Sequence, residues 1–280
     1  MKTIYVINSR GEKEPFSFRK VFRSARRAGA SQKLALEIAK KIEKEIYPEI
    51  KTREIFKRVK QLLKKEDLRT SLRFSLKEGI RKLGPNGFSF EKYVGEIFSE
   101  LGFDVSLNLY LKGRCARYEV DFLAKKEDLI YVGECKYRVN QGERIDLKVI
   151  LEIWARFLDL KEGYLKQFSK YQVRPILVTN AKFTNQVINY AKCIGEIDLL
   201  GWRYPKPKGL EYLIESQKLY PVTILPSFRP IFLEAFEKEK IMLAGDILSL
   251  GKKKLYQKIG ISSSRIDSLI KEAQILLNSQ

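Results

Sequence analysis

Two hydrophobic segments separated by a polar turn constrain the fold of this chain more than any other feature. Residues 118–123 and 129–137 are rich in Tyr, Val, Ile, Leu and Phe, and residues 125–128 read Lys-Lys-Glu-Asp. Aromatic and β-branched runs bounded by polar residues are typical of β-strands. The sequence therefore predicts two strands that pair as a hairpin.

Charged side chains lie inside these strands. Side chains alternate along a strand, so Glu134 and Lys136 are expected on one face and Cys135 on the other. Asp121, on the first strand, reaches the face of Glu134 if the strands pair. Unpaired buried charges are costly, and a divalent cation such as Mg²⁺ held by Asp121 and Glu134 would offset that cost.

The alternative for this acid-x-Lys tripeptide is an ordinary solvated strand edge or ion pair, because short motifs of this kind are common. Apolar neighbours favour the metal site. Val120 and Phe122 flank Asp121, and Cys135 follows Glu134.

Composition excludes several kinds of catalysis. The 280 residues contain no histidine, so catalytic triads with histidine and His-ligated metals are impossible. Cys115, Cys135 and Cys193 are too far apart for a C-x-x-C pair, and free thiols in a reducing compartment are expected. We find no signal peptide or apolar run of membrane-spanning length, and so expect a soluble, cytoplasmic protein without membrane partners.

The charge of the chain indicates a polyanionic partner. The formal net charge is +20, and residues 1–86 carry 24 basic against 10 acidic side chains. Such an excess attracts nucleotide or nucleic acid phosphate. The alternative is a Lys- and Glu-rich surface of the kind found in thermophilic proteins.

Helix and strand periodicities divide the chain into three domains. Residues 1–86 are predicted to be mostly helical, with a strand at 3–8, a helix at 19–28 capped by Ser17, a helix after Ser31, one capped by Thr52, and one at 68–83. The break Gly84-Pro85-Asn86-Gly87 ends this domain.

Residues 87–220 interleave both periodicities and are predicted to form an α/β domain. We expect helices at 88–101, 145–157 and 183–193, and further strands at 103–107, 175–179 and 196–201. Residues 221–280 follow a proline-rich boundary and are predicted to be helical.

The central segment resembles the Mrr-like restriction endonucleases of the PD-(D/E)xK superfamily. The resemblance covers about residues 88–204, and several motifs occur in the right order. These are Phe90-Glu91, Gly102-Phe103, Val120-Asp121, Glu134-Cys135-Lys136, Leu177-Val178-Thr179-Asn180, Phe183-Thr184 and Gly201-Trp202.

This resemblance implies a restriction-endonuclease-like fold with a mixed β-sheet and cleavage of DNA that depends on Mg²⁺ (or Mn²⁺). It makes Asp121 and Glu134 metal ligands, and Lys136 the residue that positions water and stabilises the phosphorane. Glu91 becomes the supporting helix carboxylate, with Glu96 on the same helix as its rival. Arg156 and Tyr137 are candidate phosphate contacts, although both residue types are more often packing or surface residues.

The first segment resembles the ATP-cone, a regulatory nucleotide-binding domain, over about residues 3–83. The similarity is carried by Val6, Gly11, Glu14-Pro15-Phe16, Lys20, Lys51-Thr52 and the last helix. It implies that Glu14, Lys20 and Thr52 hold ATP or dATP. Where the family has Lys-Arg-Asp-Gly, this chain has Asn8-Ser9-Arg10-Gly11, which leaves Arg10 as the substitute phosphate partner. A helical module for DNA contact or dimerisation is the alternative.

The tail resembles a helix-hairpin-helix element at Ile259-Gly260-Ile261-Ser262, with Ile266 and Leu269 on the second helix. In that motif, backbone N–H groups meet DNA phosphate, here at Gly260 and Ser262. A helical bundle that covers or dimerises the enzyme is equally consistent with the pattern.

Together these features predict a DNA endonuclease, for restriction or repair, that adenosine nucleotide modulates and that acts as a homodimer. Two alternatives remain open. One is a nuclease selective for branched DNA, and the other is a non-catalytic DNA-binding regulator that senses ATP.

Overall fold

A computed structural model describes residues 3–84, 90–140 and 142–278. Pro85, Asn86 and Gly87 of the predicted break, and Phe88, the predicted start of a helix, lie outside these ranges. The predicted fold class is confirmed: helical regions at both ends enclose a central α/β domain with a mixed sheet.

The N-terminal region forms a small module with its own hydrophobic core. An antiparallel hairpin precedes three helices, and their bounds are β1 Tyr5–Ile7, β2 Lys13–Pro15, α1 Phe18–Arg27, α2 Gln32–Glu45 and α3 Thr52–Glu66. The Ser17 hydroxyl accepts the N–H of Lys20, which confirms the predicted cap. The predicted cap at Thr52 is wrong, because Lys51 holds the cap position and Thr52 is the first helical residue.

The predicted helix at 68–83 is wrong in one respect, because the structure has two helices there, α4 Leu68–Phe74 and α5 Leu76–Lys82. The buried Ser75 separates them, and its hydroxyl donates to the carbonyl of Ser71. Serine bonds of this kind compete with the helical pattern and bend the chain. Leu76 and Ile80 of α5 pack into the core of the central and C-terminal regions, so α5 ties the first segment to the rest.

The central region is built on a five-stranded sheet behind helix α6 Phe90–Glu100. The strands are β3 Asp104–Lys112, β4 Arg117–Lys126, β5 Leu129–Cys135, β7 Gln172–Val178 and β9 Asp198–Leu200. Their order in the sheet is β3-β4-β5-β7-β9, with β3, β4 and β5 antiparallel and β5, β7 and β9 parallel. The predicted hairpin is confirmed as β4 and β5.

Two short strands, β6 Arg144–Ile145 and β8 Lys182–Phe183, pair in parallel. Each of them directly precedes one of the other two helices of this region. These helices are α7 Leu147–Glu162 and α8 Asn185–Ile194. The predicted helix starts at Ile145 and Phe183 are wrong by two residues, because Asp146 and Thr184 cap the helices and leave both residues to the strands. A 3₁₀ turn, Tyr164–Phe168, follows α7.

The C-terminal region is helical, as predicted. Helix α9 Leu210–Gln217 precedes it, and the region contains the 3₁₀ turns Val222–Ile224 and Pro230–Phe232 and the helices α10 Leu233–Lys238, α11 Ala244–Ile259 and α12 Ser263–Leu277. Helix α11 kinks at Gly251, whose φ of 72° a glycine adopts without strain. No helix in the described part of the chain combines the length and the apolarity needed to cross a membrane.

Candidate active site

The pairing of β4 with β5 ends immediately before Asp121 on β4 and Glu134 on β5. The antiparallel register runs from the turn as far as Phe122 opposite Gly133, while the parallel pairing of β5 with β7 continues to Cys135 opposite Val178. A Cβ at Gly133 would lie 2.1 Å from the Phe122 ring, so glycine permits this close packing. Asp121 and Glu134 are the next residue on each strand. The strand ends therefore bring the two carboxylates together.

The Asp121 carboxylate is oriented by the backbone. Its Oδ2 accepts the N–H of Cys135 at 2.6 Å. Burial, followed by repulsion from Glu134 and Glu91, raises the pKa of Asp121 to about 7, although the Cys135 N–H and Lys136 oppose the rise. A carboxyl binds a metal ion in its ionised form, so a cation at this site would compete with the proton.

Glu134 is the buried anion of the site, with 11% of its side chain exposed. Lys136 Nζ lies 2.5 Å from its Oε1, and Arg156 Nη2 of α7 lies 2.9 Å from the same atom. Arg156 Nε is buried without a hydrogen-bond partner in the described part of the chain. Arg156, predicted only as a phosphate contact, thus lies beside the predicted metal ligand.

The two candidate glutamates of α6 occupy different surroundings. Burial, followed by repulsion from Glu119 and Glu134, raises the pKa of Glu91, so this carboxyl interacts electrostatically with carboxyls of β4 and β5. Burial, followed by repulsion from Asp246 and Glu100, raises the pKa of Glu96, so this rival interacts with the C-terminal region instead. Glu91 thus belongs to the same electrostatic group as Asp121, Glu134 and Lys136.

Two buried polar residues after β7 hold the chain that follows the site. Lys136 N–H donates to Val178 O at 2.8 Å, and the Thr179 hydroxyl donates to Lys136 O at 2.5 Å. Asn180 accepts the N–H of Arg138 and donates to its carbonyl, at 2.8 and 2.9 Å. Sequence reasoning gave these two residues no positioning role, although two polar residues directly after a buried strand were a signal of it.

The carboxylates fit a hard divalent cation. Within residues 3–84, 90–140 and 142–278, no three His, Cys, Asp or Glu side chains are grouped so as to hold a metal by themselves. Mg²⁺ is commonly bound through one or two carboxylates, with water and substrate phosphate supplying the other oxygens. Asp121 and Glu134 offer such a pair, and a cation between them would relieve the repulsion by Glu134 that, after burial, raises the pKa of Asp121.

The residues predicted to hold nucleotide surround a cavity of about 1070 Å³. Glu14, Lys20 and Thr52 line it. Arg10 instead donates from Nη2 to the carbonyl of Gly142 in the central region, at 3.1 Å. Three of the four predicted residues therefore share one space, with Arg10 bridging to the neighbouring domain.

The predicted hairpin of the tail forms the turn between α11 and α12. Gly260 closes α11 with a φ of 68°, and Ser262 stands at the start of α12 without a side-chain cap. Both are exposed, while Ile266 and Leu269 are buried. The backbone at the start of α12 is thus open to a ligand on the surface.

Removing the Asn180 side chain is expected to destabilise the protein. Asn180→Ala leaves the N–H and carbonyl of Arg138 without their partner, and an unsatisfied buried polar group costs about 1–3 kcal/mol. The matched control is Asn140→Ala, which removes one exposed hydrogen bond to Glu143 and should cost less than about 0.5 kcal/mol. Urea unfolding compares them, and equal losses would contradict the anchoring role of Asn180.

Comparison with known families agrees with the domain order. The model for the ATP cone domain matches residues 4–77, the model for a restriction endonuclease (Mrr catalytic) domain matches residues 83–201, and the AF1548-like C-terminal model matches residues 220–277. The protein is thus of the class that joins an ATP-cone to an Mrr-type restriction endonuclease domain.

More specific matches come from uncharacterised proteins. An uncharacterised protein of Archaeoglobus fulgidus is 34% identical over 182 residues, which are 65% of this chain and 98% of that protein. The crystal structure of AF1548, a protein of unknown function, superimposes with a TM-score of 0.57 and 33% identity over 66% of this chain and 96% of that one. The chain belongs to the AF1548-like family.

Proposed function

We propose that the protein is a metal-dependent endonuclease that hydrolyses DNA phosphodiester bonds in restriction or repair, under control of an adenosine nucleotide. The observation that carries the proposal is the meeting of Asp121, Glu134 and Lys136 where β4 and β5 separate, beside Glu91. The carboxylates of Asp121 and Glu134, the ammonium group of Lys136 and the match to a restriction endonuclease domain are consistent with hydrolysis of phosphodiester bonds.

In this proposal each side chain has a distinct role. Asp121 and Glu134 would hold Mg²⁺ or Mn²⁺, and the cation would supply a lowered pKa of its bound water and neutralisation of phosphate charge. Lys136 positions the attacking water and stabilises the charged phosphorane. Glu91 supports the site from α6.

We propose that DNA is held mainly through its phosphates. The net charge of +20 favours a polyanion, Arg156 lies at the site, and Gly260 and Ser262 present backbone at the start of a helix. Affinity resting on phosphate contacts falls steeply as salt rises.

The proposed organisation follows the three segments. Residues 1–86 form the ATP-cone module that takes ATP or dATP through Glu14, Lys20 and Thr52 with Arg10 nearby, residues 87–220 form the nuclease domain, and residues 221–280 contact DNA. We also propose a homodimer, in which two active sites would each act on one strand of a DNA duplex. The proposed location is the cytoplasm.

Incubation with plasmid DNA tests the proposed activity. With Mg²⁺ or Mn²⁺ we expect conversion of supercoiled to nicked or linear DNA, none in EDTA, and a rate that changes when ATP is added. The EDTA sample tests metal dependence, and Asp121→Asn protein purified in the same way tests for contamination by other nucleases. DNA that is bound tightly in Mg²⁺ and never cut would favour the non-catalytic regulator, and cutting confined to branched substrates would favour the structure-selective nuclease.

A further inference from the structure

The cavity near the ATP-cone residues is shared between two domains. The N-terminal module contributes a group of apolar side chains, Val6, Val21, Ile55 and Val59, which we call the apolar wall, and also the cations Arg23 and Arg27. Helix α5 and the central domain contribute Lys77 and Lys182 together with Arg138, Asn180 and Arg203. An amphipathic ligand with an apolar ring and an anionic chain matches this combination of apolar and cationic side chains.

The side chains that line the cavity carry more positive than negative charge. Nine lysines and arginines and five glutamates line the cavity. Each of the five glutamates already has a basic partner, and these pairs are Glu14–Lys20, Glu78–Lys60, Glu143–Arg138, Glu211–Arg203 and Glu215–Arg73. Among the described residues, the other cations of the lining pair with no carboxylate, and these are Arg23, Arg27, Lys77, Arg81 and Lys182. Arg81 Nε is also buried, without a hydrogen-bond partner in residues 3–84, 90–140 and 142–278.

These cations repel each other across the domain boundary. Burial, followed by repulsion from Arg203 and Lys182, lowers the pKa of Lys77 to about 8. Burial and four cationic neighbours also lower the pKa of Lys182, and among those neighbours are Arg10 and Lys20 of the N-terminal module. Positive groups of both domains therefore face one space, and an anion there would relieve their repulsion.

We propose that this cavity is a composite polyphosphate site, in which α5 and the nuclease domain hold the phosphates of a nucleoside triphosphate through Lys77, Arg81 and Lys182. The proposal rests on the proposed nucleotide binding by the ATP-cone. It extends that binding to residues beyond the predicted set of Arg10, Glu14, Lys20 and Thr52. The nucleotide then bridges the two domains, with its apolar ring on the apolar wall.

The site also lies against the backbone that carries Lys136. The Tyr137 hydroxyl donates to Arg81 O at 2.7 Å, and Arg138, bound to Asn180, lines the cavity. Thus both residues that follow Lys136 are hydrogen-bonded to residues that line the cavity. A triphosphate held by Arg81 acts on the same short segment that positions the proposed catalytic lysine, which gives nucleotide control a direct structural route.

The site can be tested by measuring nucleotide binding alone, with no DNA present and no assay of cleavage. Calorimetric titration of the full chain with ATP, AMP and inorganic tripolyphosphate should show preference for the triphosphates. In the double variant Lys77→Gln, Lys182→Gln, we expect the affinity for ATP and tripolyphosphate to fall about 10- to 100-fold, because two charge-assisted phosphate contacts are lost. AMP affinity should change less than about 3-fold, since the apolar wall is intact.

The matched control is Lys166→Gln, Lys170→Gln, which removes two exposed lysines that do not line the cavity. Thermal unfolding establishes that each variant folds, and the single variant Lys182→Gln replaces the double one if it does not. An unchanged preference for ATP over AMP in the Lys77 and Lys182 variants overturns the composite site, while the nuclease and ATP-cone proposals stand. Wild-type protein that binds no triphosphate overturns the site together with nucleotide control, and leaves plasmid cleavage as a separate result.

Discussion

Replacing Asp121 by asparagine is expected to reduce DNA cleavage by at least about 10³-fold. The amide still accepts the Cys135 N–H, so the strand ends keep their geometry, but one of the two proposed metal-binding charges is lost. Metal ions supply several kcal/mol of transition-state stabilisation, and about 1.4 kcal/mol corresponds to a factor of ten in rate. Single-turnover cleavage of plasmid DNA at saturating Mg²⁺ measures the loss.

The same hairpin offers a matched control. Asp128 stands in the exposed turn between β4 and β5, and Asp128→Asn makes the same chemical change there. We expect its cleavage rate to stay within about 2-fold of wild type, as is usual for surface substitutions. An Asp121→Asn protein that cuts as fast as Asp128→Asn would remove Asp121 from the metal site.

Asp121→Asn should also alter how stability depends on pH. The pKa of Asp121 rises from 3.8 to about 7 on folding, so its contribution to stability is complete below pH 3.8 and is lost as pH rises to 7. The asparagine variant has no such loss. In EDTA it should therefore be more stable than wild type at pH 8, by about 1–2 kcal/mol after allowance for partial exposure and solvent screening. Urea unfolding at pH 5 and pH 8 measures this difference.

The hairpin and its three charged residues could be predicted from sequence because strand periodicity is local. Alternation placed Glu134 and Lys136 on one face, and pairing brought Asp121 to them. The order of domains came from motifs that are contiguous in the chain, such as Glu134-Cys135-Lys136. Local sequence patterns were therefore sufficient to predict the fold class and the two acidic residues, Asp121 and Glu134.

Contacts between distant segments could not be predicted in this way. Arg156 is 22 positions after Glu134, and helix periodicity does not say that α7 aims this side chain at the strand ends. Lys77 and Lys182 meet only because α5 leaves the N-terminal core and packs on the nuclease domain. Such tertiary contacts depend on packing and burial, which hydrophobic periodicity does not encode.

The break at Ser75 is an example in which a local signal was overridden. Apolar spacing continued from 68 to 83 and predicted one helix, yet the buried serine bonds to Ser71 and the helix divides. Residues of both helices line the shared cavity, among them Arg73 of α4 and Lys77 and Arg81 of α5.

Replacing Lys136 by methionine is expected to lower the cleavage rate by about 10²- to 10³-fold. Losing one preorganised group that stabilises transition-state charge typically costs this much. Glu134 keeps Arg156 as its partner, so its buried carboxylate is not left alone, and the loss of stability should be smaller than the about 3–5 kcal/mol that breaking a buried ion pair costs. Mn²⁺ affinity should be kept, because both carboxylates remain, and single-turnover cleavage with calorimetric Mn²⁺ titration separates the two effects.

Two further variants test whether the loss of activity is due to the positive charge at position 136. Lys136→Arg keeps the positive charge and should retain more activity than Lys136→Met, although its planar guanidinium cannot reproduce the compact ammonium. Lys112→Met removes an exposed lysine at the end of β3 and should cut at the wild-type rate. Loss of Mn²⁺ binding in Lys136→Met would instead mean that the lysine organises the metal ligands. Full activity of that variant would mean that the carboxylates act without it, and that another cation near Glu134, Arg156 foremost, stabilises the phosphorane.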